Sequence, residues 1–250
     1  MITLAVDTTS PGGSAAVLRD ERVIGSVSAW TEETYSSRIF RQVEFLLEEL
    51  ALSFGQVDLF AVSSGPGSFT GLRVGLAAVK AWAEVYDKPV VGISALEAIA
   101  AQSRASTSIL IPAFDARRGE VYFGFYRREG NLAAPVLVLE GEHSVMAPAD
   151  FLKGVRARLG DTPFTIVTPT PEALGAAQGQ RSGVPEAGSA VSVEAGAEIG
   201  VDVEVVPNIL APLVGLLAAR RARGGLTSTS LTLDAHYVRR TDAELKWKGI

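Results

Sequence analysis

Cysteine is absent from this 250-residue chain, and histidine occurs only twice, at His143 and His236. Without cysteine there is no disulfide, no thiolate nucleophile and no cysteine-ligated metal. The two histidines are far apart, and the chain has no HExxH or other paired-histidine motif, so we expect no metal site. None of the serines lies in a G-x-S-x-G elbow, and histidine is too scarce for a Ser-His-Asp triad to be expected.

Long apolar runs and an excess of positive charge are missing as well. No apolar run approaches the ~18 residues of a membrane span. The first residues lack the basic segment of a signal peptide and reach an acid at Asp7. The net charge of −5 provides no field that would attract RNA, and the composition, 47% hydrophobic and 20% charged, is that of a globular protein. We therefore expect a soluble cytoplasmic protein without a membrane partner.

The most informative stretch is SSGPGSFTGLRVG, at 63–75. It follows an apolar run at 57–62 that predicts a buried strand, and it opens a helical pattern that continues to Tyr86. Ser68 or Thr70 can cap this helix, and the free N–H groups of its first turn can bind an anion.

The spacing within this stretch differs from that of a P-loop. Five residues rather than four separate Gly65 from Gly71, and Leu72 stands where a P-loop has lysine. The residues therefore leave two interpretations open, a tight strand-to-helix turn and a phosphate-binding loop.

The helix after the loop has two faces. Apolar side chains at helical spacing predict a core stripe, and small residues at four-residue spacing form an edge that another helix can approach closely. The preceding helix, predicted at 36–50, also has an apolar face. This pattern fits packing within one domain or a subunit interface. The positions concerned are Ile39, Val43, Leu46, Gly71, Leu72, Gly75, Leu76, Ala78, Val79 and Trp82.

The order of predicted elements divides the chain into three parts. Residues 1–104 fit three antiparallel strands followed by alternating helices and strands, an α/β layer of the ribonuclease-H-like kind. A second half, 105–206, begins with a strand that leads into Asp115, and its segment 173–200 has no clear pattern. Residues 207–250 are predicted to form a helix and a basic tail that pack back on the two halves.

Several residues could line a ligand cleft between the halves. Asp7 and Asp115 each end or follow a strand in their own half, as paired acids do in actin-like kinases. An Asx turn at Asp7 is the alternative for the first acid. For the second, we favour an ion pair with Arg117 that holds a hairpin. The candidate cleft residues are Asp7, Thr8, Gly65, Gly67, Ser68 and Asp115.

Three motifs together resemble the TsaB (YeaZ) family: GPGSFTGLRVG at 65–75, DARRGEVY at 115–122 and AVDTT at 5–9. The sequence YVRR at 237–240 is similar to the family's C-terminal signature. Tyr35 departs from the family, in which many members have histidine at this position. The resemblance implies two ribonuclease-H-like halves in the actin/sugar-kinase (ASKHA) architecture.

The resemblance also implies a role without catalysis. TsaB takes part in forming threonylcarbamoyladenosine at position 37 of tRNA, where the paralogue TsaD is the transferase and carries two metal-binding histidines. The positions that align with those histidines are Ala95 and Ile99 here, and neither side chain can bind a metal. We therefore expect an accessory subunit with no catalytic residue, no metal and no cofactor, which binds TsaD and acts together with the ATPase TsaE.

Members of this family dock through the N-terminal half. The resemblance therefore favours the interface interpretation of the ten helix positions named above. The same face would allow a weak homodimer that competes with TsaD, and tRNA would be bound only through the complex.

Two alternatives from other classes remain. One is a stand-alone enzyme, either a peptidase or an actin-fold phosphotransferase that uses Asp7 and the loop at 65–71. The scarcity of histidine argues against the peptidase, and the lack of a second phosphate loop argues against the kinase. The other alternative is a direct tRNA-binding module that uses the basic tail, with Arg239, Arg240, Lys246, Trp247 and Lys248.

Overall fold

Two β-sheets organise the chain in a computed structural model that describes residues 1–10, 12–30, 35–130, 135–175 and 201–239. The first sheet has the strand order β3-β2-β1-β4-β5. Its strands are β1 (Ile2–Asp7), β2 (Ser14–Arg19), β3 (Arg22–Ser28), β4 (Leu59–Gly65) and β5 (Val90–Ser94).

Parallel pairing in the first sheet brings the sequence motifs together. β1 pairs antiparallel with β2 and parallel with β4, and the register sets Val6 beside Val62. Because the strands are parallel, the end of β1 at Asp7 meets the end of β4 at Gly65 along one edge of the sheet. Both strands are largely buried on both faces, which explains their continuous apolar sequences.

The second sheet is built around β6. This strand pairs antiparallel with β7 and β8 and parallel with β11, which in turn pairs parallel with β12. β9 extends the sheet beside β8, and β10 pairs with β7. The strands are β6 (Ile109–Asp115), β7 (Val121–Phe123), β8 (Tyr126–Glu129), β9 (Val136–Leu139), β10 (Ser144–Met146), β11 (Phe164–Thr168) and β12 (Asp202–Val205).

Helices cover both faces of the first sheet. Leu4 and Val6 pack in one apolar cluster with α1 and α2, whereas Ala5 packs in another with α3 and α5. α3 also contacts β6 and β11, so it joins the two sheets. The helices are α1 (Tyr35–Glu49), α2 (Phe69–Tyr86), α3 (Ala95–Ala100), α4 (Pro148–Leu159) and α5 (Ala211–Arg223), with short 3-10 turns at Phe54–Gln56 and Pro171–Leu174.

Several boundaries differ from the predicted ones, for local reasons. Two short strands, β7 and β8, follow Asp115, and between them lies Gly124, where a Cβ would lie 2.8 Å from the His143 ring. The helix expected from Pro207 begins at Ala211, with Pro212 in its first turn, where proline fits best. The short strands β10 and β12 were not predicted.

No helix in the described ranges has both the length and the apolar character that crossing a bilayer requires.

Two helix caps follow the sequence pattern. The Ser68 and Ser94 side chains accept hydrogen bonds from the backbone N–H groups of Gly71 and Glu97, respectively, at the starts of α2 and α3.

Replacing a glycine by alanine should have opposite effects in α5 and α4. A Cβ at Gly215 would press against the Leu18 side chain and lie 3.1 Å from the Ala5 Cβ, whereas a Cβ at Gly154 would meet no atom within 4 Å. We expect Gly215→Ala to lower the free energy of unfolding by about 1–3 kcal/mol through overpacking. Gly154→Ala should raise it by about 0.5–1 kcal/mol through helix propensity.

Urea denaturation of the two variants measures both changes. Equal stabilisation by the two substitutions would contradict the close packing of α5 on the first sheet, because helix propensity would then be the only term that acts.

Candidate functional site

Asp7 ends β1, and its carboxyl group is fully buried. Oδ1 accepts hydrogen bonds from the Thr9 N–H, at 3.0 Å, and from the Thr9 hydroxyl, while Oδ2 accepts one from the Ser10 hydroxyl at 2.8 Å. Burial raises the pKa of the Asp7 carboxyl, against the lowering effect of these hydrogen bonds and one from Ser63. The geometry is that of an Asx turn, in which Oδ1 accepts from the backbone N–H of Thr9 and Oδ2 binds the Ser10 side chain.

The glycine-rich loop lies directly on this turn. The Ser68 N–H donates to the Thr9 carbonyl oxygen at 2.9 Å, and a Cβ on Gly67 would lie 2.7 Å from the same oxygen. The Thr8 hydroxyl, which is also buried, donates to the Gly71 carbonyl at 2.6 Å. Because these polar groups of the loop and the turn are hydrogen-bonded to each other, the geometry favours the tight strand-to-helix turn over a phosphate-binding loop.

Asp115 ends β6 in the second sheet, and its carboxylate is partly exposed. It accepts a hydrogen bond from the Arg117 N–H at 2.7 Å and forms an ion pair of 3.5 Å with the Arg117 guanidinium. The Asp115 N–H donates to the Thr170 hydroxyl oxygen at 2.9 Å. The carboxylate thus holds the β6–β7 hairpin, and each of the two candidate acids has partners in its own half.

The C-terminal segment runs between these two places; the sequence predicted that it packs back on the two halves, but not which residues it meets. The His236 N–H donates to the Ser64 carbonyl oxygen at 2.7 Å, and a Cβ on Gly65 would lie 2.6 Å from the His236 carbonyl oxygen. Three residues on, Arg239 donates to the Ala116 carbonyl oxygen at 3.1 Å and forms an ion pair with Glu120. The motifs at 65–75 and 115–122 therefore meet the same segment of the chain.

The α3 positions that align with the metal ligands of TsaD lie in an apolar cluster. Ala95 and Ile99 are buried together with Phe114, Tyr122 and Tyr126 of the second sheet. Nowhere in the described ranges do three or more His, Cys, Asp or Glu side chains come together as a metal site would require. This surface of α3 contributes to the contact between the sheets.

The polar side of α3 binds α5. Glu97 is buried and receives two hydrogen bonds from the Arg221 guanidinium, at 2.6 and 2.8 Å, while Arg221 also donates to the Gly92 carbonyl oxygen at 3.1 Å. Burial raises the pKa of the Glu97 carboxyl, opposed by the Arg221 charge. The ion pair holds α5 against α3, and the hydrogen bond to Gly92 holds α5 against β5.

The two histidines, which are far apart in sequence, meet at the cleft. Their rings contact each other edge to face, with centroids 4.9 Å apart. The His143 Nε2 is 2.8 Å from the Tyr126 hydroxyl oxygen. Burial, and then the charge of His236, lowers the pKa of His143 to about 4.

The ten positions predicted as a partner interface are all buried within this chain. Their side chains fill the cluster between α1, α2 and the first sheet, and none is more than 9% exposed among those measured. Gly75 lies so close to the Thr8 hydroxyl that a Cβ there would collide with it. Helical spacing identified the apolar face of α1 and α2, but it does not show whether the chain's own sheet or a partner covers that face. A partner can contact only the outward residues of the same helices.

Some sequence predictions concern residues or side chains that the structure does not describe. These are the Tyr35 side chain, the segment 176–200 within the pattern-free stretch, and the basic tail from Arg240 onward.

The two sheets, their covering helices and the cleft between them define the class of protein. It is an α/β fold of the actin/sugar-kinase type, as the sequence predicted. YeaZ from Pseudomonas aeruginosa superimposes with a TM-score of 0.70 over 94% of this chain and 99% of its own, at 23% identity. A second match is (R)-2-hydroxyglutaryl-CoA dehydratase component A of Acidaminococcus fermentans, with a TM-score of 0.51 over 89% of this chain and 99% of its own, at 12% identity.

Sequence comparison is more specific. The chain is 34% identical over 137 residues to the tRNA threonylcarbamoyladenosine biosynthesis protein TsaB of Bacillus subtilis, which is 55% of this chain and 60% of the relative. Residues 21–142 match the family described as TsaD, tRNA N6-adenosine threonylcarbamoyltransferase. The predicted resemblance to TsaB and YeaZ is thereby confirmed. The match spans less than two thirds of the Bacillus subtilis protein.

The lowered pKa of His143 predicts a pH dependence of stability. Between the ordinary value of 6.5 and about 4, the unfolded chain binds a proton at this residue and the folded chain does not. The free energy of unfolding should therefore fall as pH drops through this window. In His143→Gln the fall should be shallower, because no proton binds at this position.

Chemical denaturation of both proteins at pH 4.5 to 8 measures the difference. The two curves should run parallel above pH 7, which provides the internal control. Parallel curves across the whole range would contradict a lowered pKa at His143.

Proposed function

We propose that this chain is a non-catalytic accessory subunit for the formation of threonylcarbamoyladenosine at position 37 of tRNA, and that it binds and activates TsaD together with TsaE. The observation that carries the proposal is the complete burial and internal pairing of the Asp7 carboxyl in a chain similar to TsaB. In kinases of this fold the corresponding acid contacts a bound ligand. In this chain the carboxyl group accepts hydrogen bonds from the turn beside it.

The surroundings of α3 support the same assignment. A metal-dependent transferase needs ligands in the cleft, and Ala95 and Ile99 offer only buried methyl and aliphatic groups. The similarity to the TsaD family at 21–142 therefore fits a relative that has kept the fold while its metal positions became apolar. A stand-alone enzyme gains no support from these contacts, because Asp7 and Asp115 each bind local partners.

A surface for TsaD lies on the outward side of α1 and α2. Four aromatic side chains from α1, α2 and the 3-10 turn at Phe54–Gln56 contact one after another, with centroid distances of 5.7, 5.2 and 5.6 Å. We call them the aromatic row: Phe40, Trp82, Phe54 and Tyr86.

Exposure and composition make the aromatic row suitable for a partner. Phe40 is 46% exposed and Tyr86 is 37% exposed, and Val85 beside them is 74% exposed. Aromatic residues of this kind are enriched in protein interfaces, and a contiguous exposed apolar patch often marks one. TsaD would bind here, and in its absence a second copy of this chain would form a weak homodimer through the same surface. tRNA would be reached only through the complex.

A charge placed on the aromatic row, at Phe40, or beside it, at Val85, should weaken TsaD binding without unfolding the chain. We expect Val85→Glu and Phe40→Glu each to reduce the affinity at least tenfold, since burying an unpaired charge at the centre of an interface costs about 2 kcal/mol or more. Titration calorimetry with TsaD from the same organism measures the affinity.

Val136→Glu is the matched control. Val136 is 61% exposed and lies on β9 of the second sheet, away from α1 and α2, so this variant should bind TsaD as the wild type does. Wild-type affinity in both row variants would contradict the proposed surface. Loss of binding in the control as well would assign the effect to added charge rather than to the aromatic row.

A further inference from the structure

The C-terminal segment has a firmly held part that comes before its contact with the cleft. Ser228 exchanges two backbone hydrogen bonds with Val90 of β5, at 2.8 and 3.0 Å. Leu233 is buried, and its Cδ1 fills the space above Gly92, where a Cβ would lie 3.0 Å away. We call residues 228–233 the anchor, because both ends attach to β5, the edge strand of the first sheet.

The next residues extend from the first sheet to the second. His236 binds the Ser64 carbonyl oxygen through its N–H, and Tyr237 packs on Phe69 with ring centroids 5.3 Å apart. The Tyr237 hydroxyl accepts a hydrogen bond from Arg73 Nε at 3.3 Å. All of these partners belong to the end of β4 and the first turn of α2.

On the far side, the contacts are with the second sheet. Arg239 binds the Ala116 carbonyl oxygen, pairs with Glu120 and lies over the Tyr122 ring, 5.8 Å from its centroid. The His236 ring meets His143, which follows β9. Residues 234–239 therefore contact both walls of the cleft, over a span in which the chain forms no helix or strand.

The contacts of residues 234–239 differ in kind from those of the anchor. His236 and Tyr237 are exposed, with Tyr237 at 45%, Ala235 and Val238 are only partly buried against the apolar clusters, and the backbone is held by one hydrogen bond to Ser64. Segments whose contacts are largely solvent-exposed or partly buried open at a lower free energy than the sheet beneath them. The anchor has a buried apolar side chain and paired backbone, so it stays in place when the following residues detach.

We propose that residues 234–239 form a releasable strap that closes the cleft between the two sheets, hinged on the anchor. While the strap is bound, its backbone covers Gly65 and Ser64, so that no ligand can reach the glycine-rich loop from this side. When the strap is released, the loop becomes accessible and the second sheet loses its connection to α2. This device follows from the contacts alone and does not depend on the proposed accessory role.

Hydrogen–deuterium exchange on the full chain tests the strap. The double variant Tyr237→Ala/Arg239→Ala removes the side-chain attachment of Tyr237 to α2 and that of Arg239 to the second sheet. We expect exchange to become roughly tenfold faster in peptides that cover the loop at 62–68 and the hairpin at 113–121, as losing a charge-assisted hydrogen bond predicts. Peptides from β1 should exchange at the wild-type rate.

Leu231→Ala is the matched control, because Leu231 is 87% exposed and lies in the anchor without contacting the cleft. It should leave the loop and hairpin rates unchanged. Unchanged rates in the double variant would overturn the proposal, since the attachments would then hold nothing. Faster exchange that extends to β1 would overturn it as well, because residues 234–239 would then be part of the cooperative core rather than a releasable strap.

Discussion

The contact between the turn after β1 and the glycine-rich loop is the constraint on which the site depends. Thr9 supplies its carbonyl oxygen to Ser68 and its N–H and hydroxyl to Asp7, so one residue connects the acid to the loop. A side chain at Gly67 would break this approach. The hydrogen bonds lower the pKa of the buried Asp7 carboxyl and so oppose the effect of its burial, which raises that pKa.

Three other places that the sequence suggested for ligand or metal binding are also occupied by contacts within the chain. Asp115 is held by its own hairpin, the metal-ligand positions of the paralogue lie among apolar side chains, and residues 234–239 lie across the opening. Positions that bind ligands in other proteins of this fold make contacts within the chain in this one. On the outward side of α1 and α2, Phe40 and Tyr86 are exposed and pack on the buried Trp82 ring and the half-buried Phe54 ring, respectively.

The elements that local pattern determines could be predicted from the sequence. The buried strands β1 and β4, the long helix α2 and the serine caps of α2 and α3 all follow from periodicity and capping. Contacts over long sequence separations could not. Arg239 meets Glu120, and His236 meets both Ser64 and His143, with no local signal for any of these pairs. An apolar helix face likewise looks the same in sequence whether its own sheet or another subunit covers it, so the spacing of the ten helix positions left both interpretations open.

Modification of tRNA by TsaD and TsaE of the same organism, supplied with the Asp7→Asn variant, tests the central claim most directly. Asparagine keeps the shape and one acceptor oxygen of the carboxyl group but removes its charge. If Asp7 only holds the turn, the folded variant should support the formation of threonylcarbamoyladenosine as well as the wild type does. A folded variant that binds TsaD with wild-type affinity and yet supports no modification would contradict the account, because the carboxylate itself would then take part in the reaction.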